Sequence, residues 1–147
     1  MAEAQAAFAD HARRIRGRLP QAEIRHCGGT SVPGLLTSGD VDLHVRVAKE
    51  SFEPALEQLS DLYEPFHRDA WSPGESAFFF APNAQPPVEI ALTAIGSRDD
   101  FHHGEAWDRI AADLSLIERY NDLKRQNEGG SQDDYDAAKR TFFYENF

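Results

Sequence analysis

Apolar and polar residues alternate from Asp40 to Val47, with Val41, Leu43, Val45 and Val47 on one side of the pattern and Asp40, Asp42, His44 and Arg46 on the other. Period two is the mark of a strand with one buried face. Val88 to Ala94 alternates the same way, placing Val88, Ile90 and Leu92 opposite Glu89, Ala91 and Thr93. Between them, residues 77–81 form a continuous apolar run, Ala-Phe-Phe-Phe-Ala, that reads as a buried strand joined to 88–94 by a short antiparallel connection. Residues 23–27 supply a first strand, and Leu62 to Phe66 a short one confined to a sheet edge by Pro65. Helical spacing predicts an amphipathic helix over 3–18 (Ala4, Phe8, Ala12, Ile15, then Leu19), ended by Pro20, and another over 50–60 (Phe52, Ala55, Leu56, Leu59). From Asp99 to Asn127 the stripe Trp107, Ile110, Ala111, Leu114, Ile117 changes phase at Leu116, Tyr120 and Leu123, which predicts two helices or a kink near 114–115. A last helix is predicted over 132–146, after a Gly129-Gly130 break. The whole predicts one α+β domain over 1–147, a mixed, mostly antiparallel sheet flanked by helices.

Chemistry is concentrated where the first long strand begins. Asp40 and Asp42 lie two residues apart on a strand, so both carboxylates project from one face. Like charges there call for a cation, and Mg²⁺ is held by one or two carboxylates while substrate phosphates and water complete its shell. Upstream, Gly28-Gly29-Thr30-Ser31 follows a strand and precedes a turn begun by Val32-Pro33-Gly34. Glycines let backbone N–H groups approach an anion closely, and Thr30 and Ser31 add hydroxyl donors.

A Gly-Gly/Ser turn followed by Asp-x-Asp at the start of a strand resembles the nucleotidyltransferase superfamily. Residues 24–35, Ile-Arg-His-Cys-Gly-Gly-Thr-Ser-Val-Pro-Gly-Leu, narrow the likeness to the His-x-Gly-Ser-Thr-x-Val-Pro-Gly-Leu block of the GrpB family. Tyr120-Asn-Asp-Leu-Lys124 and Tyr135-Asp-Ala-Ala-Lys139-Arg-Thr-Phe142 resemble that family's two Tyr-x-x-Leu/Ala-Lys helices. The likeness runs from about residue 20 to the end. It implies a nucleotidyltransferase-like fold and an acid on a neighbouring strand facing the Asp pair, a place that Glu89 fills as metal ligand or proton acceptor. The chain departs from the family at two places. Ser38-Gly39-Asp40 stands where a Lys-Pro pair is usual, and Glu89-x-Ala91 stands where a His-x-His is usual. Both departures bring the pattern closer to a metal-binding acidic triad.

Composition limits the partners. With 15 basic and 25 acidic side chains the net charge is −10, which disfavours nonspecific binding to nucleic acid or anionic membranes and favours a small molecule or a protein. Five arginines, Arg13, Arg14, Arg16, Arg18 and Arg25, fall in the first 25 residues and form either a patch for a triphosphate or a solvated helix face. Cys27 is the only cysteine, so it pairs with no other in the chain and packs as a small apolar residue. No apolar run reaches a membrane span and no basic-then-apolar leader follows Met1, so the sequence predicts a soluble cytoplasmic protein. His26 and His44 either touch a phosphate or serve as hydrogen-bonded structural residues, and Trp71 either stacks on a base or covers the core edge.

These readings converge on a Mg²⁺-dependent enzyme that acts on a nucleoside triphosphate and a small-molecule acceptor, by nucleotidyl transfer or adenylate-forming ligation. Asp40, Asp42 and Glu89 are the candidate metal ligands and catalytic acids. Gly28, Gly29, Thr30 and Ser31 cradle the phosphates, and Lys124 or Lys139 neutralises developing charge. The alternative is a non-catalytic module that binds a nucleotide or coenzyme in the same place, a role consistent with GrpB-like domains fused to a coenzyme A biosynthetic kinase.

Overall fold

A computed structural model describes residues 2–28, 31, 39–126 and 137–142, with all their side chains except those of residues 2, 102, 103 and 105–107. Among the described residues the elements run α1 (Ala2–Arg18), β1 (Glu23–Cys27), β2 (Val41–Val47), α2 (Phe52–Leu62), β3 (Glu64–Phe66), β4 (Ser76–Phe80), β5 (Val88–Ala94), α3 (Arg98–Ala112) and α4 (Leu114–Gln126). Residues 137–142 are also helical. The strands form one sheet in the order β1-β2-β5-β4-β3. Only the central β2–β5 pair is parallel; β1–β2, β5–β4 and β4–β3 are antiparallel. The proline-bearing β3 is at the edge, where a missing N–H costs the ladder nothing.

Alternation along the strands divides the interior into two cores. Val41, Leu43, Val45 and Val47 of β2 join Ile24, Ala77, Phe79, Ile90 and Leu92 on one face, packed beneath Ala12 and Ile15 of α1 and Phe52, Ala55 and Leu59 of α2. The second core gathers Cys27, Ile110, Leu116, Ile117, Tyr120 and Phe142. Fully burying one such aliphatic or aromatic side chain contributes about 1.5–3 kcal/mol, so both layers hold the sheet firmly.

The α3–α4 junction is a break rather than a kink. Asp113 leaves the helical conformation, and its Oδ1 accepts from the N–H groups of Ser115 (2.9 Å) and Leu116 (3.4 Å), starting α4 afresh. The restart turns Leu116, Ile117 and Tyr120 inward and leaves Leu114 77% exposed, so Leu114 and the exposed Ala111 do not belong to the buried stripe that their spacing predicts. Ser97 caps α3, its Oγ accepting from the Asp100 N–H at 3.2 Å. The run 77–81, expected to be buried throughout, instead alternates: Ala77 and Phe79 are fully buried in the first core while Phe78 and Phe80 are half-buried on the other face. No described helix is long and apolar enough to cross a membrane.

Candidate functional site

Pairing across the sheet arranges the face opposite α1 in rows. In the first row Cys27, Asp42, Glu89 and Phe80 are successive partners, in the second Arg25, His44, Ala91 and Phe78, and in the third Glu23, Arg46, Thr93 and Ser76. Asp42 and Glu89 stand side by side because β2 and β5 are parallel and in register there. Their carboxyl groups are close enough for a hydrogen bond when one of them carries a proton. Burial, then the Glu89 charge, then that bond and Asp40, push the Asp42 carboxyl up to about 7, against the opposing pull of Lys139.

Asp40 is half-buried one residue before β2 and is felt at Asp42 as charge. The ladder begins at Val41, so pairing does not fix Asp40 to the face that Asp42 occupies. Among the described residues no three His, Cys, Asp or Glu side chains are arranged as ligands of one ion. The structure therefore brings together two of the three predicted acids as a close pair, with the third nearby in charge. Two carboxylates are sufficient protein ligands for Mg²⁺, and adjacent acids that disfavour each other's charge are a donor set that suits a hard divalent cation.

Gly28 closes the row on the β1 side. Its φ is +72°, a conformation that L side chains rarely adopt, and a Cβ there would overlap the Asp42 Oδ2 and lie 2.8 Å from its Cγ. The turn therefore abuts the acid pair, and glycine is what permits it. Ser31 stands on the same turn: its Oγ donates to the Gly28 carbonyl at 2.7 Å and its N–H to the same oxygen at 3.2 Å. Both donors are committed to shaping the turn. Gly29 and Thr30 lie outside the described residues. Lys139, on the 137–142 segment, lies close enough for its charge to lower both Asp42 and Cys27. Lys124 is half-buried on α4, next to Leu123 of the second core. Burial and the Asp42 charge drive the Cys27 thiol well up, so it is an inert packing residue.

Other candidates fall elsewhere. His26 points to the opposite face, its ring stacked on Phe8 of α1 with centroids 5.1 Å apart. His44 is fully buried with its Nε2 2.7 Å from the Thr93 Oγ, a structural role. Arg13, Arg14, Arg16 and Arg18 belong to α1, beyond the first core, so they are not a patch beside the acids. Arg25 faces the acid side but is engaged by Glu23 (3.2 Å) and Asp108 (3.4 Å). Trp71 packs on Phe79 and donates from Nε1 to the Phe66 carbonyl at 2.8 Å, covering the first core's edge.

A further cluster escaped sequence reasoning. The Arg46 Nε and a terminal nitrogen grip the two oxygens of Asp100 at 2.6 and 2.8 Å, while Thr93 Oγ and the Gly96 N–H donate to the same carboxylate, each at 3.0 Å. The signals were present: Arg46 continues the polar face of β2, and Asp100 lies in the first turn of α3, the helix that follows β5.

The sheet order with its parallel centre and its helical layers make a nucleotidyltransferase-like fold. The match to the GrpB protein family covers residues 2–146, and the chain belongs to that family. A UPF0157 protein of Vibrio cholerae serotype O1 is 30% identical over 128 residues, covering 87% of this chain and 67% of its own length. The crystal structure of the conserved protein GrpB from Enterococcus faecalis superposes with a TM-score of 0.76 at 18% identity, covering 99% of this chain and 93% of that one. The family likeness thus includes α1, upstream of the motifs that first suggest it.

Proposed function

We propose that the protein is a metal-dependent nucleotidyltransferase-type enzyme that transfers a nucleotidyl group from a nucleoside triphosphate to a small-molecule acceptor. The observation that carries this reading is the side-by-side placement of Asp42 and Glu89 on adjacent parallel strands, against a left-handed glycine turn. Asp42 and Glu89 would hold Mg²⁺, which supplies charge neutralisation on the phosphates as the P–O bond to pyrophosphate lengthens. Gly28 lets the backbone of its turn approach the phosphates. Lys139 supplies positive charge on the side of Asp42 and Cys27. Glu89, whose side chain is 40% exposed, takes the proton as the acceptor's hydroxyl or amine attacks the α-phosphorus in line. The new bond is acceptor O–P or N–P; the broken one is the P–O bond to pyrophosphate, which leaves with the electron pair.

Calorimetry with a non-hydrolysable triphosphate analogue tests the reading. The wild type is expected to bind it in a Mg²⁺-dependent way, and Asp42→Asn to lose that dependence. An Asp42→Asn protein that binds with the wild-type Mg²⁺ dependence contradicts the assignment. Pyrophosphate release across a panel of acceptors separates transfer from binding alone.

A further inference from the structure

The acid-pair face continues beyond Glu89 into a group of aromatic rings. Phe80 is the cross-strand partner of Glu89, Phe78 of Ala91, and Phe66 on β3 of Phe78. The Phe66 and Phe80 rings meet edge to face, centroids 5.2 Å apart, and the His67 ring lies on Phe66 at 3.8 Å with its edge toward Phe78 at 6.4 Å. The three phenylalanines are half-buried and, among the described residues, are part of neither core cluster, and the His67 side chain is 57% exposed. His67 adopts a left-handed conformation (φ 50°, ψ 47°), which costs a residue with a side chain on the order of 1 kcal/mol. In that conformation its Nε2 reaches to 4.0 Å from the Glu89 Oε1. The strain keeps a ring over Phe66 and its nitrogen beside the acid.

The order across the sheet is glycine turn, Asp42, Glu89, aromatic ledge. In-line displacement puts nucleophile and leaving group on opposite sides of the phosphorus. With pyrophosphate on the glycine side, the nucleophile enters from the side of Glu89 and the rings. We propose that Phe66, His67, Phe78 and Phe80 form an acceptor subsite that stacks a planar aromatic or heteroaromatic ring, presenting that molecule's hydroxyl or amine to Glu89. The inference rests on the nucleotidyl-transfer reading for which side the acceptor enters; the ring-binding ledge stands on the geometry of the aromatics. Faces and edges of the rings suit a π-system, and the carboxylate suits a group that donates a hydrogen bond.

The test is an NMR titration of the full chain, with Mg²⁺ and α,β-methylene-ATP present, using tyramine and its saturated counterpart 4-(2-aminoethyl)cyclohexanol as probes. Tyramine is expected to shift the amides of Phe66, His67, Phe78 and Phe80 and to bind about fivefold more tightly than the saturated amine. Phe78→Leu is expected to weaken tyramine about tenfold and leave the affinity for the ATP analogue within about twofold. Should Phe78→Leu lose its native spectrum, the exposed His67→Ala serves as the second variant, with the same direction expected. Equal binding of the two amines, shifts confined to other regions, or loss of the ATP analogue with tyramine unaffected would each overturn the proposal, the last by giving the ledge to the nucleobase. Tyramine bound on the ledge of a wild-type protein that does not bind the analogue supports the ring site and defeats the nucleotidyl-transfer reading instead.

Discussion

Two carboxylate sites on one face of β2 and β5, four residues apart along the strands, have opposite electrostatics. At the Arg46–Thr93 row, burial alone would raise the Asp100 carboxyl, but hydrogen bonds from Arg46, Gly96 and Thr93 outweigh it and hold the group well below the usual carboxylate range. At the Asp42–Glu89 row, burial acts with a like charge, and the pair retains a proton to near neutrality. The first is a finished network that fixes the start of α3 to the sheet. At the second, the Lys139 charge opposes the upward push on Asp42 without reversing it.

Breaking the finished site has the largest expected effect. Arg46→Met leaves a buried, 6%-exposed Asp100 without its guanidinium partner, and a loss of about 3–5 kcal/mol is expected in urea unfolding. A loss under about 1 kcal/mol would show the pair to be decoration. Gly28→Ala comes next: both the left-handed φ and the overlap with Asp42 oppose a side chain, for an expected loss of about 2 kcal/mol together with Mg²⁺-dependent nucleotide binding.

The pH dependences of the two sites are opposite in sign. Between about 4 and 7 the unfolded chain has lost the Asp42 proton while the folded pair keeps it, so this site makes stability fall as pH rises through that window. Asp100, depressed in the fold, contributes stability that is present above the ordinary carboxylate value and lost as pH falls below it. Asp42→Asn is accordingly expected to flatten the fall between pH 4 and 7 and to stabilise the protein at pH 8 by on the order of 1–2 kcal/mol, discounted for partial solvation. Unfolding curves at pH 5 and 8 check it; an unchanged slope contradicts the shared proton. The smallest effect belongs to Ser31→Ala, which removes the hydroxyl bond to Gly28 at an expected cost of about 0.5–1 kcal/mol, with nucleotide affinity altered less than about twofold because that donor is already committed to the turn.

Much of this was legible in the chain, for identifiable reasons. Alternation reports which residues share a face, so β2 and β5 emerged with their polar sides intact, and the lone Pro65 put β3 at the edge. Alternation does not name a strand's partner or its direction. The family likeness put an acid on a neighbouring strand facing the Asp pair, but the parallel register by which Asp42 meets Glu89 was in neither the likeness nor the local periodicity. The same blindness to the third dimension left the α1 arginines and His26 as candidates until the packing of α1 put them across the sheet. That the Ser31 N–H and hydroxyl both donate to the Gly28 carbonyl is a local hydrogen-bond arrangement that composition does not reveal. Phe78 and Phe80 read as core because a run of three phenylalanines hides its own alternation.

The central claim is that Asp42 and Glu89 form a cation site completed by substrate phosphates. Thermal unfolding at pH 8, with a non-hydrolysable triphosphate analogue and with or without Mg²⁺, tests it most directly, since a ligand bound only by the native state raises Tm. The account predicts that Mg²⁺ raises Tm in the wild type and leaves Asp42→Asn and Glu89→Gln unmoved. An equal rise in all three proteins would contradict it.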